Sequence, residues 1–487
     1  MARIELIDTS VRDGNQSLWG ATGLATGMML QIAPVMDRVG FAAIDFTTST
    51  HMAIATRFPR ENPWERIRLM ADATPNTPLS FLTTGLRFIS WERASDDFMR
   101  LAFGLLVKNG IRRFLAMDAM NDPAAVLKIA RTIAGEGCSN VVAALVFTIS
   151  PVSDDAYYAE RAAAFAASPD VERVYIKDPG GLLTPERART LIPAVVAKLG
   201  GKPLELHSHC TIGLAPFSYV AAADLNVAAL HTAAGPLGNG SSQPTAERVS
   251  ANLRSLGHTV DIDDAALGAM SAYFEELAAA EGLPRGTPSD FDESYFHHQI
   301  PGGMLGTMKR QLAEIRQLDK LPAVFDETAR VRAELGYPIM VTPFSQVICT
   351  QAVMNVISGE RYANVPDEVM RYMLGRFGSP PGEVDEAIRE RVLSRPRARE
   401  LAAEPGMPDL DELRARFDPG ISDEEFVLRA VMPQGQVDAM LAAPPVRRTY
   451  EARVRTILTL LRELSTRDVG HVRVEKPGFT LELVRRT

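Results

Sequence analysis

Cysteine is scarce in this chain of 487 residues, limited to Cys138, Cys210 and Cys349. An odd, sparse set excludes a disulfide framework and fits a reducing compartment. Long apolar runs are also missing: nothing approaches the ~18 uncharged residues that a membrane-spanning helix needs. The opening MARIELIDTS reads as a strand and not as a secretory leader, so the cytoplasm is the expected location. Basic residues are in deficit, 52 Lys and Arg against 60 Asp and Glu, and the formal charge is −8. With no basic stripe interleaved with aromatics, nucleic acid and anionic membranes are excluded as expected partners. Internal repeats and low-complexity tracts are absent. No GxxxxGK[ST] phosphate loop occurs, and the GGMLG stretch at 302–306 reads as a turn.

What is present is a soluble, core-forming composition, 46% hydrophobic and 23% charged. Short apolar segments recur at 4–8, 41–46, 78–84, 112–118, 140–149, 171–178, 203–209 and 227–233. Each is rich in Val, Ile, Leu or Phe, as parallel strands buried on both faces require. Between them lie segments with helical i, i+3/i+4 apolar spacing. Several of these open after Asp, Pro or Thr and stop at Gly. Eight strand–helix units predict an α/β fold, a (β/α)8 barrel over residues 1–285; an open doubly wound sheet is the alternative. A turn-rich connector follows. Residues 286–445 are expected to form a mainly helical domain beside the barrel mouth that completes the active site. The tail, 446–487, reads as one helix over YEARVRTILTLLRELS and two short β segments, HVRVEK and FTLELVRR.

Three motifs fall at strand ends, where barrel enzymes place their chemistry. In LELHSHCTIG, His207 and His209 alternate on one side of a strand, about 6–7 Å apart, which suits a transition-metal site; two satisfied core histidines is the other reading. In DTSVRDGNQSL, Asp13 offers an anionic ligand and Arg12 and Gln16 offer contacts to substrate oxygens. The other reading is a loop with a local Arg–Asp pair. In YIKDPGGLLTP, Lys177 would face the barrel interior, where an unpaired charge is costly. It is therefore paired with Asp178 or Asp13, deprotonated, or carboxylated to an anionic carbamate. Together these groups give three or four ligands with room for substrate, the layout of a catalytic site. Cys210 is expected on the opposite face, as packing. His297 and His298 are expected to be surface or inter-domain hydrogen bonders.

At these motifs the chain resembles the biotin-dependent carboxyltransferases of the pyruvate carboxylase, oxaloacetate decarboxylase alpha subunit and transcarboxylase type. The resemblance runs in order through DTSVRDGNQSL (8–18), NPWERIRLM (62–70), FLAMDAMND (114–122), YIKDPGGLLTP (175–185), LELHSHCTIG (204–213), NGSSQP (239–244), IPGGM (300–304) and VTPFSQV (341–347). It implies Asp13, His207 and His209 as metal ligands, with Lys177 as a carboxylated-lysine ligand. It also implies Gln16 as a substrate contact and Thr342 as the threonine that shuttles a proton between biotin and the acceptor. The cation implied is divalent: zinc, manganese or cobalt.

Two departures from that family bear on the acceptor. Thr83 stands where members that use pyruvate carry a carboxylate-binding arginine, with Arg87 four residues away, and Ala53 replaces an aspartate. Gln346 stands where lysine is frequent, and His231 where aspartate is frequent. The departures imply an altered acceptor pocket. The tail resembles the stretch that precedes the biotinyl domain of biotin carboxyl carrier proteins, yet no Ala-Met-Lys-Met motif occurs, and AMDAM at 116–120 lacks the lysine. The expectation is a carboxyltransferase subunit, a homodimer or part of a larger complex. Biotin would come on a separate carrier chain, with a biotin carboxylase subunit as the further partner and an enolisable small molecule as acceptor. Two other readings stand beside it: a biotin-independent metal-dependent lyase or condensing enzyme of the same superfamily, and a non-catalytic assembly subunit.

Overall fold

The computed structural model describes residues 1–89, 93–451, 471–476 and 479–484. Its centre is a closed barrel of eight parallel strands in sequential order. They are β1 (Glu5–Asp8), β2 (Ala43–Thr48), β3 (Leu79–Thr84), β4 (Arg113–Met117), β5 (Val141–Val146), β6 (Arg173–Asp178), β7 (Leu204–Ser208) and β8 (Val227–Thr232). The helices between them bury their apolar stripes on the barrel's outer face, with Leu6, Ile44, Phe81, Phe114 and Leu206 beneath. Helix starts follow capping chemistry. The side chains of Asn62, Ser95, Asp122, Asp154, Thr184 and Asp263 each accept a backbone N–H of the first turn. Pro63, Pro123 and Pro185 occupy first-turn positions, where a missing N–H does no harm.

Strand alternation sends every second side chain inward. At the barrel floor, Arg173 of β6 reaches Glu5 of β1 at 2.7 Å, and Arg113 of β4 reaches Glu205 of β7 at 2.6 Å. None of these strands is adjacent to its partner's, so the contacts cross the interior. The β6–β7 register sets Lys177 opposite His207 near the mouth.

Beyond the barrel, residues 300–401 build a second apolar core around Ile300, Met308, Val331, Phe344 and Leu401, which Ala119 and Met120 from a barrel loop join. The helices at Asp423–Val431 and Gln434–Leu441 turn back onto the barrel wall, where Phe426 meets Phe98 edge-on at 6.4 Å. The GGMLG stretch differs from expectation: it opens a helix, Gly302–Glu314, and is not a turn. Its glycines occupy the first turns, and Leu305, Met308 and Leu312 supply a buried stripe that outweighs the local preference. The two β segments of the tail pair antiparallel as His471–Lys476 and Phe479–Val484. Nearly all of the helix expected over 450–465 lies outside the described residues. Among the described residues no helix is long and apolar enough to cross a membrane.

Candidate functional site

After β1 the chain makes one wide turn over Ser10–Gly14, closed by the Gly14 N–H donating to the Thr9 carbonyl at 3.0 Å. Such i→i+5 turns recur at functional sites. This one swings Arg12 and Asp13 over the barrel mouth. Gly14 is required there, because a Cβ would sit 2.9 Å from the Leu237 carbonyl oxygen. A second glycine, Gly181, has φ +71°, and a Cβ on it would lie 2.4 Å from the His209 carbonyl oxygen. Gly181 thus lets the loop after β6 press against the loop after β7.

Four of the expected ligands meet at this mouth. The Asp13 carboxylate lies 3.2 Å from His207 Nε2, 3.5 Å from His209 Nε2 and 3.4 Å from Lys177 Nζ. The two Nε2 atoms are 3.2 Å apart, and Lys177 Nζ is 3.2 Å from that of His207. Among the described residues, Asp13, His207 and His209 are the group of His, Cys, Asp or Glu whose ligand atoms all fall within 4.8 Å of one another. One carboxylate and two imidazoles converging on one point form a donor set that fits a divalent cation.

The electrostatics follow from burial. Burial pushes the Asp13 carboxyl up, but Arg12 and Lys177 outweigh it and hold the group well below the usual carboxylate range. Burial lowers Lys177, offset in part by Asp13. Burial and the Lys177 charge hold His207 well below the ordinary imidazole value. The imidazole is thus neutral with a lone pair to offer, while Asp13 stays ionised. Lys177 pairs with Asp13 and not with Asp178. Asp178 points outward, accepting from the Leu182 and Leu183 N–H groups and the Ser208 hydroxyl at 3.0, 2.9 and 2.7 Å.

A pocket of about 460 Å³ opens above this cluster. Arg12, Gln16, Arg87 and Thr342 all line it, with Gln346 at its edge. Arg12 is committed: its Nε donates to Asp45 at 2.8 Å and its NH1 meets Asp13 at 2.9 Å. Arg87 has the Asp118 carboxylate as a charged neighbour and lies over the Phe377 ring at 5.0 Å. Thr342 reaches the pocket from the second core, at the start of the helix Phe344–Ser358. Thr83 is not brought in. By strand alternation Leu82 and Thr84 face the pocket, while the Thr83 hydroxyl turns away to donate to the Gly85 carbonyl at 3.2 Å.

His297 and His298 stay apart from the cluster. His297 meets Asp326 at 3.1 Å on the surface. His298 is buried, accepts the Ile300 N–H at 2.9 Å and stacks on Phe325 at 4.3 Å.

Two neighbours were not anticipated from sequence. Asp45 of β2 binds Arg12, and its only trace in the sequence is an acid inside the apolar run FAAIDF. Gln243 of the NGSSQP motif sets its amide nitrogen 3.2 and 3.0 Å from the Nε2 atoms of His207 and His209.

Known proteins resemble this chain in sequence and fold. A family model described as a conserved carboxylase domain matches residues 296–465. A pyruvate carboxylase subunit of Methanothermobacter thermautotrophicus is 34% identical over 91% of this chain and 80% of its own length. The 2-oxoglutarate carboxylase large subunit of Hydrogenobacter thermophilus is 30% identical over 90% of this chain and 68% of its own. Among solved structures, the carboxyl transferase domain of Rhizobium etli pyruvate carboxylase with pyruvate and biocytin superposes with a TM-score of 0.80. It is 25% identical, over 90% of this chain and 77% of that one. Against a longer Rhizobium etli pyruvate carboxylase chain the TM-score is 0.81, and this chain spans 44% of its length.

Proposed function

The chain belongs to the family of biotin-dependent carboxyltransferase subunits that includes the Methanothermobacter pyruvate carboxylase subunit, and on that premise we propose that it moves a carboxyl group from carboxybiotin to an enolisable 2-oxo acid. The observation that carries this reading is the convergence of Asp13, Lys177, His207 and His209 beneath a pocket that Thr342 overhangs. The barrel over 1–285 supplies the metal centre, 286–445 supplies the wall bearing Thr342, and 446–487 serves as a docking tail toward the biotin carrier. Partners are a biotin carboxyl carrier protein and a biotin carboxylase subunit, since relatives are named as subunits. The working unit is a homodimer or a larger complex. Three free, buried cysteines fit a reducing cytoplasm.

Asp13, His207 and His209 hold a divalent metal, with zinc favoured by the mixed imidazole and carboxylate donors and manganese or cobalt as the other candidates. Lys177 completes the set once its ammonium has lost a proton and the resulting amine has added CO2 and lost a second, which turns a buried cation into an anionic oxygen ligand. Bound there, the metal supplies Lewis-acid polarisation of the acceptor carbonyl and stabilisation of its enolate. Biotin supplies the carboxyl group.

The chain's own side chains do the rest. The Thr342 hydroxyl, with no protein hydrogen-bond partner among the described residues, can accept and donate at Oγ1 and so hands a proton across the pocket. Arg87, facing the pocket, binds the acceptor's carboxylate. Gln16 holds an acceptor oxygen, while Arg12, which lines the same pocket, is spent on fixing the Asp13 and Asp45 carboxylates.

The test is affinity capture of the chain from its native host, with streptavidin blotting of the recovered material. Carboxyl transfer from labelled bicarbonate and ATP to pyruvate or 2-oxoglutarate is then assayed. A biotinylated partner and avidin-sensitive transfer are expected, with Thr342→Ala lowering transfer about 10²–10⁴-fold at unchanged metal content. Turnover of 2-oxo acids that ignores avidin overturns the reading in favour of a biotin-independent lyase.

A further inference from the structure

His207 has a second nitrogen, and it does not face the ligand cluster. Its Nδ1 lies 3.2 Å from Nδ1 of His231 on β8. The far nitrogen of His231, Nε2, lies 3.0 Å from Glu205 on β7, and both Glu205 oxygens lie 2.6 Å from NH2 of Arg113 on β4. His207, His231 and Glu205 are fully buried. The Tyr175 ring stacks on His231 at 5.5 Å and 8°, so the His231 plane is held as well.

The direction of each hydrogen bond in this chain follows by elimination. A guanidinium only donates and an ionised carboxylate only accepts, so Glu205 takes the proton side of His231 Nε2. A neutral imidazole has one donor and one acceptor. With Nε2–H spent on Glu205, His231 Nδ1 is the acceptor. His207 Nδ1 must then carry the hydrogen, and His207 Nε2 is left as a bare lone pair at the point shared with Asp13 and His209. His209 reaches the same state by a separate route: its Nδ1 lies 2.6 Å from the Ser241 carbonyl oxygen, which only accepts. The Gln243 amide nitrogen, within 3.2 Å of both Nε2 atoms, donates to the same two lone pairs.

We infer that Glu205 and His231 are positioning residues that fix the tautomer of His207, and through it aim the Nε2 lone pair at the metal. This rests on reading Asp13, Lys177, His207 and His209 as the metal centre. The arrangement lengthens the familiar carboxylate–histidine–metal triad by one imidazole, and it ties the barrel floor to the mouth. A purely structural Arg113–Glu205 pair would be indifferent to which atom of His207 bears the hydrogen. The tautomer chain is not.

Glu205→Gln tests that direction with almost no change of shape. Arg113 claims the amide oxygen, the amide NH2 faces His231 Nε2, and His231 must accept there. Its Nδ1 then donates to His207, whose hydrogen is displaced to Nε2, against the metal. Apo-protein is titrated with zinc and with cobalt(II) against a chromophoric chelator, and the visible spectrum of the cobalt form is recorded. Expected for Glu205→Gln is a roughly 10–100-fold loss of affinity and an altered cobalt spectrum.

If circular dichroism shows that Glu205→Gln does not fold, His231→Asn against His231→Leu decides. The asparagine amide can accept from His207 and donate to Glu205, so it retains affinity, whereas leucine loses it. Wild-type affinity and an unchanged cobalt spectrum in Glu205→Gln, or equal affinities in the His231 pair, overturn the inference. A wild-type protein that takes up neither metal overturns the metal-centre reading instead.

Discussion

Two levels of the barrel interior bury charge to the same depth and put it to opposite use. At the floor, Arg113 and Glu205 are 3% and 0% exposed; at the mouth, Asp13 and Lys177 are each 4% exposed. On the floor each donor meets an acceptor: Arg113 with Glu205, Arg173 with Glu5, His231 with Glu205. At the mouth Asp13, His207 and His209 aim acceptors at one shared point, and Gln243 is the amide that answers the two imidazoles. Burial alone therefore does not separate scaffold from site. What separates them is that floor acceptors and donors pair off, whereas at the mouth three ligand atoms converge on one point and share Lys177 and Gln243 as donors, a geometry that a cation would complete.

That contrast can be broken from either side. Arg113→Met leaves Glu205 buried with the His231 N–H at 3.0 Å and the more distant Arg173 guanidinium at 3.5 Å. Chemical denaturation should show a loss of ~3–5 kcal/mol, while metal uptake per folded molecule stays near wild type. Undiminished stability would mean that the floor is not the scaffold it resembles. His209→Ala acts at the other level. Carboxyl transfer should fall about 10²–10³-fold with loss of bound metal, and the metal-free protein should melt within a few degrees of metal-free wild type. A steep loss of apo stability would place the mouth with the floor. The smallest effect is expected at the pocket wall. Arg87→Met should raise KM for a 2-oxo acid about 10–100-fold with kcat little changed, the scale of one charge-assisted contact, ~1.5–3 kcal/mol. An unchanged KM would remove Arg87 from acceptor recognition.

Much of this was legible in the residues because barrel strands are local. Eight apolar runs announced eight strands, and a period of two placed His207 and His209 on one side before any contact was known. The same period, applied to β3, separates Thr83 from Leu82 and Thr84. The ordered motifs also carried Asp13 and Lys177 to the mouth. What stayed hidden depends on strands far apart in the chain. Arg113 and Glu205 lie 92 positions apart, and Arg12 and Asp45 lie 33 apart. No periodicity reports which inward residue meets which across a closed barrel, because tilt and register decide it. GGMLG differs for another reason: glycine's preference for turns yields to an apolar stripe that starts inside it at Leu305 and continues through Met308 and Leu312.

The pocket sits on a seam between two hydrophobic cores, one beneath the ligand cluster and one beneath Thr342. Because the proposed ligands come wholly from the barrel and the proposed relay hydroxyl from the other core, the two can be altered separately. On the proposed function, substitutions along the Pro301–Gln346 wall would change which acid is carboxylated without moving Asp13, Lys177, His207 or His209. A fold divided in this way can acquire new acceptors by small steps and keep its chemistry at each one.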